Sequence, residues 1–142
     1  MWERHCEATG TDPETPYEAW PFGAAPDELA DLVLRGIKKA TTSGFELYAI
    51  DDEPMPRPGD LSVILNSADE AVCVIRTKET YVVPFDEVTA AYAAAEGEGD
   101  GSLAYWREAH AAFFAEDYAQ CGAVFTEKSP VLCEIFEVVW PV

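Results

Sequence analysis

The longest β-prone run of the chain, from Ala71 to Val83, constrains the fold more than any other feature of the sequence. Valine, isoleucine, threonine and tyrosine are frequent in it, and the polar pair Lys78-Glu79 predicts a bend or a split near its middle. Three other segments are typical of strands: Ala40 to Tyr48, Leu61 to Asn66 and Val131 to Val139. A polar turn from Ser67 to Glu70 separates the second of these from the long run.

Apolar residues at helical spacing predict about three helices. The first begins near Pro26 and ends near Gly36, since proline is tolerated in a first helical turn and glycine is a common C-terminal stop. Two more helices are predicted, each after a capping residue: Glu87 to Ala95 after Asp86, and Leu103 to Ala119 after Ser102. So few strand–helix–strand units predict an α+β fold, a barrel-like sheet of mixed or antiparallel strands with the helices packed outside it.

Length and charge narrow the class of ligand. The 142 residues fit one domain, and we expect residues 1–19 to form an N-terminal extension packed on a domain of residues 20–142. Nine basic against twenty-seven acidic residues give a formal net charge of -18. Because an acidic surface repels nucleic-acid phosphates, the charge favours a small, nearly neutral ligand and disfavours an RNA partner.

Neither the apolar runs nor the cysteines indicate a membrane or metal protein. No apolar run approaches the length of a membrane span and no signal peptide opens the chain, so we expect a cytoplasmic protein without membrane contact. The four cysteines lack metal-site spacing. Cys73 and Cys133 lie in apolar strand segments, and we predict that they are small buried residues.

Two segments carry the residues best suited to chemistry. The first runs from Gly36 to Ser43 and combines two lysines with three hydroxyl residues. In the second, Glu96 to Ser102, glycines separate the acidic residues. If folding brings the segments together, they can supply the nucleophile, activator and acid of a small hydrolytic site.

The order of these segments resembles the ASCH domain family of the PUA-like superfamily. The Gly-x-Lys-x-x-Thr pattern at Gly36 to Thr41, followed by Pro58-Gly59-Asp60 and an apolar strand, is that family's opening. The larger bacterial branch of the family is the most similar. Its segments recur here in order: Trp20 to Gly23, Pro84 to Val88, Glu96 to Asp100, and Cys133 to Phe136.

The resemblance implies a function related to RNA or its nucleosides. One smaller bacterial branch hydrolyses the acetyl amide of N4-acetylcytidine with a lysine, a threonine and a glutamate, which fall here on Lys38, Thr41 and Glu96. Lys39 departs from the pattern, because a small hydroxyl residue is usual there. Since side chains alternate along a strand, Lys39 shares a face with Thr41 whereas Lys38 joins Thr42, unless a turn or bulge intervenes.

Two proton arrangements are open for such a site. In one, burial keeps Lys38 neutral so that it takes the hydroxyl proton of Thr41, and Glu96 protonates the departing amine. A nearby carboxylate would restore the lysine charge and prevent this. In the other, a charged Lys38 stabilises the oxyanion while Glu96 activates a water. Neither arrangement needs a cofactor, and we predict none.

Further residues are predicted to contact a nucleoside-like ligand. The aromatic candidates for stacking on a base are Trp20, Phe22 and Tyr48. The polar candidates are Lys39, Thr42, Ser43, Asn66 and Arg76. His110 lies on the apolar face of the last helix, where we predict a packed core histidine and not a general base.

Two other functions stay open. A non-catalytic RNA-binding module requires basic side chains on one face, drawn from Arg35, Lys38, Lys39, Arg57, Arg76 and Lys78. A metal-dependent ribonuclease would hold its ion through Glu96, Glu98 and Asp100. Because the spacing of these acids lacks an EF-hand pattern, we predict no metal site and keep Glu98 and Asp100 as secondary candidates.

Overall fold

A mixed sheet of five strands forms the centre of the computed structural model, which describes residues 1–23 and 25–141. The strands are β1 (Glu18–Pro21), β2 (Ala40–Gly44), β3 (Leu61–Leu65), β4 (Ala71–Pro84) and β5 (Pro130–Trp140). Their order is β1-β3-β4-β5-β2, with β1 parallel to β3 and the other neighbours antiparallel. Since β1 and β2 are the edge strands, the sheet is a half-barrel, and the predicted α+β fold is confirmed.

Helices surround this sheet. They are α1 (Trp2–Thr9), α2 (Pro26–Leu34), α3 (Phe45–Ile50), α4 (Ala90–Glu96) and α5 (Leu103–Gln120), with a 3-10 turn at Phe85–Glu87. The three predicted helices correspond to α2, α4 and α5, whereas α1 and α3 were not predicted. Within the described residues, every helix is too short or too polar to cross a membrane.

The long strand β4 bends where its sequence predicts. Its register against β5 shifts between Thr77 and Glu79, around Lys78. Before the shift β4 pairs with both β3 and β5, and beyond it β4 pairs with β5 alone. A bulge bends a strand and increases its twist. The irregularity at Lys78 therefore helps to curl the sheet into a half-barrel.

Two apolar clusters attach the helices to the sheet. In one, Leu29, Ala30 and Val33 of α2 pack against Ile64 and Ile75. In the other, buried residues of α4 and α5 meet β2 and β5: Tyr92, Trp106, Phe114, Tyr118, Ala40, Val131 and Cys133. Each fully buried large apolar side chain contributes roughly 1.5–3 kcal/mol. As predicted, Cys73 and Cys133 are fully buried.

The helix caps agree with the sequence at α5 and differ at α4. The Ser102 hydroxyl accepts a hydrogen bond from Tyr105 N at 3.1 Å, as the prediction requires. For α4, the cap is Thr89, whose hydroxyl accepts from Tyr92 N at 3.1 Å. The predicted cap, Asp86, lies in the preceding 3-10 turn, and its carboxylate contacts the Lys128 ammonium.

The strand predicted over Ala40 to Tyr48 was too long. It ends at Gly44, where a side chain would lie 2.6 Å from a ring atom of Tyr118. From Phe45 the chain forms α3, in which leucine and alanine favour a helix. The prediction rested on hydroxyl and aromatic content; the hydroxyl residues lie in the strand, whereas the aromatic residues Phe45 and Tyr48 lie in α3.

The first twenty-five residues contain two elements that the sequence did not indicate. The α1 helix places Trp2 against the buried residues Leu61, Val63 and Val74. The Trp2 ring also stacks on Tyr17, with the ring centroids 4.1 Å apart. After this contact the chain enters β1, which pairs with β3.

Candidate functional site

A buried ion pair joins the two segments that the sequence selected for chemistry. Lys38 Nζ donates to Glu96 Oε1 at 2.9 Å, to Glu98 Oε2 at 3.2 Å and to the Ala40 carbonyl at 2.8 Å. The side chains of Lys38 and Glu96 are only 2% and 1% exposed. Three acceptors match the three hydrogens of an ammonium group. This geometry fits a charged Lys38 and opposes a neutral lysine acting as a base.

The turn after α2 brings Lys38 to the end of α4. Gly36 adopts φ +75°, and both Ile37 N and Lys38 N donate to the Leu32 carbonyl. Lys39 N then donates to the Ala95 carbonyl at 2.7 Å, which ties this segment to the last turn of α4. The backbone therefore fixes Lys38 beside Glu96 before β2 begins.

Gly97 permits this close approach. Its φ is +66°, and a Cβ there would lie 2.7 Å from both the carbonyl oxygen and Cγ2 of Ile37. Because an added carbon at that distance would clash, the position requires glycine. The glycine between Glu96 and Glu98 thus allows both carboxylates to reach the same ammonium group.

Glu96 accepts hydrogen bonds on both carboxylate oxygens. Its Oε2 accepts from Thr42 Oγ1 at 2.6 Å and from the indole nitrogen of Trp106, while His110 Nε2 lies 3.3 Å away. Burial raises the pKa of Glu96, yet Lys38, His110 and Thr42 outweigh it and hold the pKa well below its usual range. Glu96 therefore stays ionised and anchors the groups around it.

His110 takes part in this network and is not simply a packed core residue. Its Nδ1 lies 2.9 Å from the Trp106 carbonyl, which can only accept, so Nδ1 carries a proton and Nε2 faces Glu96. Burial lowers the pKa of His110, but its contact with Glu96 and the charges of Glu96 and Glu98 raise it overall. The helix face of His110 was predicted correctly from the sequence, whereas its contacts with Trp106 and Glu96 were not predicted.

Glu98 is the more exposed carboxylate of the pair, with 20% of its side chain accessible. Burial raises its pKa above the ordinary value, Glu96 adds to this, and Lys38 opposes it. Among the groups that contact Lys38, Glu98 is therefore better suited than Glu96 to exchange a proton. The sequence offered Glu98 as a secondary candidate, for a metal or in place of Glu96.

The adjacent threonines of β2 lie in different surroundings. Thr42 donates to Glu96, as its contact with an acceptor-only carboxylate requires. Thr41 is the Cα partner of Glu134 on β5, and the Tyr92 hydroxyl donates to its carbonyl at 2.6 Å. Lys38 and Thr42 thus share Glu96, whereas the hydrogen bonds of the described residues do not join Lys38 to the Thr41 hydroxyl.

Three adjoining cavities lead away from the ion pair. The inner cavity, of about 90 Å³, is lined by Lys38, Glu96, Glu98, His110, Thr41, Thr42, Phe22, Gly23, Leu29, Ala109 and Phe113. The seam cavity, of about 240 Å³, lies between β1 and β2 and shares Phe22, Gly23, Thr41, Thr42 and Phe113 with it. The sheet cavity, of about 810 Å³, shares Trp20, Thr41, Ser43, Tyr48 and Glu53 with the seam cavity. Thr41 lines all three.

The predicted ligand contacts divide into two groups. Trp20, Phe22, Thr42, Ser43 and Tyr48 line one or more of the cavities. The other three predicted contacts, Lys39, Asn66 and Arg76, do not line these three cavities. Lys39 is exposed, so the lysine that faces the inner cavity is Lys38.

Asn66 and Arg76 have other partners instead. Asn66 Oδ1 accepts from Ala68 N and Glu70 N in the β3–β4 turn, at 2.9 and 3.0 Å. Arg76 pairs with Glu137 at 3.5 Å on the outer surface of the sheet. These contacts explain both residues without a ligand.

A metal would have to compete with Lys38. Glu96, Glu98 and His110 each offer one ligand atom within 4.8 Å of the others. However, the Lys38 ammonium contacts both carboxylates and already supplies the positive charge. The other metal candidate, Asp100, is exposed and accepts from Ser102 N at 2.9 Å. Burial of Lys38 also removes it from any exposed basic face for RNA.

Comparisons with known proteins identify the family. The ASCH domain family model matches residues 18–140. The crystal structure of an ASCH domain from Lactobacillus crispatus is 31% identical and has a TM-score of 0.88, covering 96% of this chain and 90% of that chain. A crystal structure of an Enterococcus faecalis protein is 31% identical with a TM-score of 0.87, covering 96% of this chain and 84% of that one.

A more distant structure, of a hypothetical protein, shares the fold at 16% identity and a TM-score of 0.58, covering 86% of this chain and 97% of that one. No match was found among curated proteins. The family match spans most of the chain, and the resemblance noted in the sequence is confirmed. The chain belongs to the ASCH domain family.

Proposed function

We propose that the protein binds a nucleoside or modified base and hydrolyses an N-acyl amide on it, as in N4-acetylcytidine. The observation that carries this proposal is the buried ammonium of Lys38, held by Glu96 and Glu98 at the wall of the inner cavity. A fixed positive charge in a nearly dry site stabilises an oxyanion far better than one in water. The aromatic residues Phe22 and Phe113 line the same cavity and favour a planar ligand.

In the proposed reaction, the amide carbonyl oxygen replaces Glu98 as one of the three acceptors of Lys38 Nζ, which leaves the Glu98 carboxylate free to act as the base. A water oxygen attacks the carbonyl carbon, and Glu98 takes the proton that this water loses. The tetrahedral intermediate carries its negative charge on the oxygen nearest Lys38. When the carbon–nitrogen bond breaks, Glu98 returns the proton to the departing nitrogen, so the products are the free amine and a carboxylic acid.

Glu96 and Thr42 position Lys38 and do not exchange a proton with the substrate. Glu96 neutralises the buried lysine and accepts from Thr42 and Trp106, which restrains the ammonium group on one side of the cavity. Thr41 lines each of the three cavities, which supports a contact with the ligand. Attack by the Thr41 hydroxyl in place of water is the alternative that the experiment below separates.

The test is release of cytidine from N4-acetylcytidine. We expect turnover by the wild type, a loss of about a hundredfold or more in Lys38→Met and Glu98→Gln, and near wild-type activity in the control Lys39→Ala. Lys38→Met is checked for folding by circular dichroism. The double variant Lys38→Met, Glu96→Gln removes both buried charges and keeps the test valid if the single variant unfolds.

The outcomes separate the variants of the mechanism. Thr41→Ala that binds less tightly but retains turnover supports attack by water. Complete loss of turnover in Thr41→Ala, with ligand binding intact, assigns the attack to Thr41. Absence of cytidine release by the folded wild type overturns this activity, and activity that a chelator abolishes contradicts the metal-free mechanism.

A further inference from the structure

The sheet cavity contains a buried acid that the proposed reaction does not use. Glu134 lies on β5, is 4% exposed and lines this cavity. It stands opposite Thr41 in the β2–β5 ladder. Directly opposed residues of an antiparallel pair point to the same face of the sheet. Glu134 and Thr41 are therefore neighbours along one wall of the sheet cavity, and Thr41 also lines the other two cavities.

The partners of Glu134 differ from those of Glu96, the other acid that is buried among the described residues. Thr77 Oγ1 donates to Glu134 Oε2 at 2.6 Å. Among residues 1–23 and 25–141, this is the only hydrogen bond that the Glu134 side chain makes. The ion pairs found within those residues do not include Glu134. A carboxylate has about four acceptor positions, so one donor leaves most of them unsatisfied. Burial of such a group is costly unless something else donates to it.

We propose that Glu134 binds the ribose hydroxyl groups of the ligand and makes the site selective for a ribonucleoside over its deoxy analogue. A buried acidic side chain that accepts from a ribose hydroxyl is a recurrent means of sugar recognition. With the reacting amide in the inner cavity, the remainder of the ligand extends past Thr41 toward Glu134. The sheet cavity, at about 810 Å³, has room for the sugar.

The charges around Glu134 favour a sugar without a phosphate. Glu18, Glu53 and Asp60 line the same cavity, and Arg57 is the basic residue in its wall. Three further carboxylates repel a phosphate group, whereas an uncharged hydroxyl can donate to any of them. The ligand predicted by this arrangement is a free ribonucleoside.

This inference rests on the proposed function for the placement of the ligand, but its test does not require hydrolysis. Isothermal titration calorimetry measures binding of cytidine, 2′-deoxycytidine and 3′-deoxycytidine to the wild type, Glu134→Gln and Glu137→Gln. Glu137 is the matched control, because it lies on the same strand and pairs with Arg76 on the outer surface. Cytidine release from N4-acetylcytidine is measured separately on the same proteins.

We expect the wild type to bind cytidine at least about tenfold more tightly than the weaker-binding deoxy analogue, since hydrogen bonds to charged groups contribute that much. Glu134→Gln should reduce the difference to less than about threefold by weakening cytidine binding, and Glu137→Gln should preserve it. Equal binding of the three nucleosides, no binding of any, or full discrimination by Glu134→Gln would overturn the role of Glu134. Hydrolysis without discrimination overturns only this inference, whereas discrimination without hydrolysis overturns only the proposed function.

Discussion

The inner cavity and the sheet cavity each contain a buried carboxylate, and the two carboxylates differ in the number of donors that contact them. Glu96 accepts hydrogen bonds from the Lys38 ammonium, the Trp106 indole and the Thr42 hydroxyl, and it also contacts the His110 ring. These neighbours hold its pKa well below the usual range. Glu134 accepts one hydrogen bond, from the Thr77 hydroxyl, and burial raises its pKa. A fully paired acid stabilises the fold and fixes its neighbours, whereas an acid with unused acceptor positions is available to a ligand.

The largest expected effect breaks the paired side of this comparison. Lys38→Met leaves Glu96 buried without its cation, and we expect the free energy of unfolding to fall by about 3–5 kcal/mol. Urea unfolding at pH 7 measures the change. The matched control is Arg76→Met, which removes an ion pair whose side chains are 44% and 46% exposed and should cost at most about 1 kcal/mol. Equal losses in the two variants would contradict the assigned role of the buried pair.

An intermediate effect is expected at the glycine that brings the acids to Lys38. Gly97→Ala combines a left-handed φ of +66° with a clash against Ile37, and we expect a loss of about 2–3 kcal/mol in the free energy of unfolding. Gly101→Ala shares the left-handed φ, at +76°, but has open space around the position. It should lose only about 1 kcal/mol. If Gly97→Ala is no worse than Gly101→Ala, the close approach of the two segments does not matter.

The smallest effect, with opposite sign, concerns the unpaired acid. The folded pKa of Glu134 is raised, so the folded state binds more protons than the unfolded one, and the carboxyl lowers stability as pH rises through that pKa. We therefore expect the free energy of unfolding of Glu134→Gln to exceed that of the wild type by up to about 1 kcal/mol at pH 7.5. The difference should vanish below the ordinary glutamate pKa of 4.5, where the carboxyl is protonated in both states. A destabilised Glu134→Gln at pH 7.5 would mean that the carboxylate is a structural element.

Local patterns accounted for most of the fold. The strands at Leu61–Leu65 and Ala71–Pro84, the shift near Lys78 and the Ser102 cap all follow from residue types within a few positions of each other. The elements that escaped prediction depend on distant partners. The four residues of β1 are stabilised by parallel pairing with β3, and α1 by the packing of Trp2 on the sheet. Neither partner is visible in the local sequence.

The site divides in the same way. Resemblance to the ASCH family selected Lys38 and Glu96, which the fold places in contact, and alternation along a strand placed Lys38 with Thr42. The contact of His110 with Glu96 and Glu98 was not predicted, because it depends on how α5 packs against the end of α4. Glu134 gave one usable signal, an acid with apolar residues on both sides of it in a strand segment.

By itself, the sequence determined the kind of fold, the strand and helix signals of its longer elements, and the net charge, because composition and periodicity act locally and additively. Only the tertiary structure decided which charges are paired and which are not. The free energy of a buried carboxylate depends on donors supplied by other elements, at distances near 3 Å. Glu96 and Glu134 are the same residue type, and their neighbours alone assign them different roles.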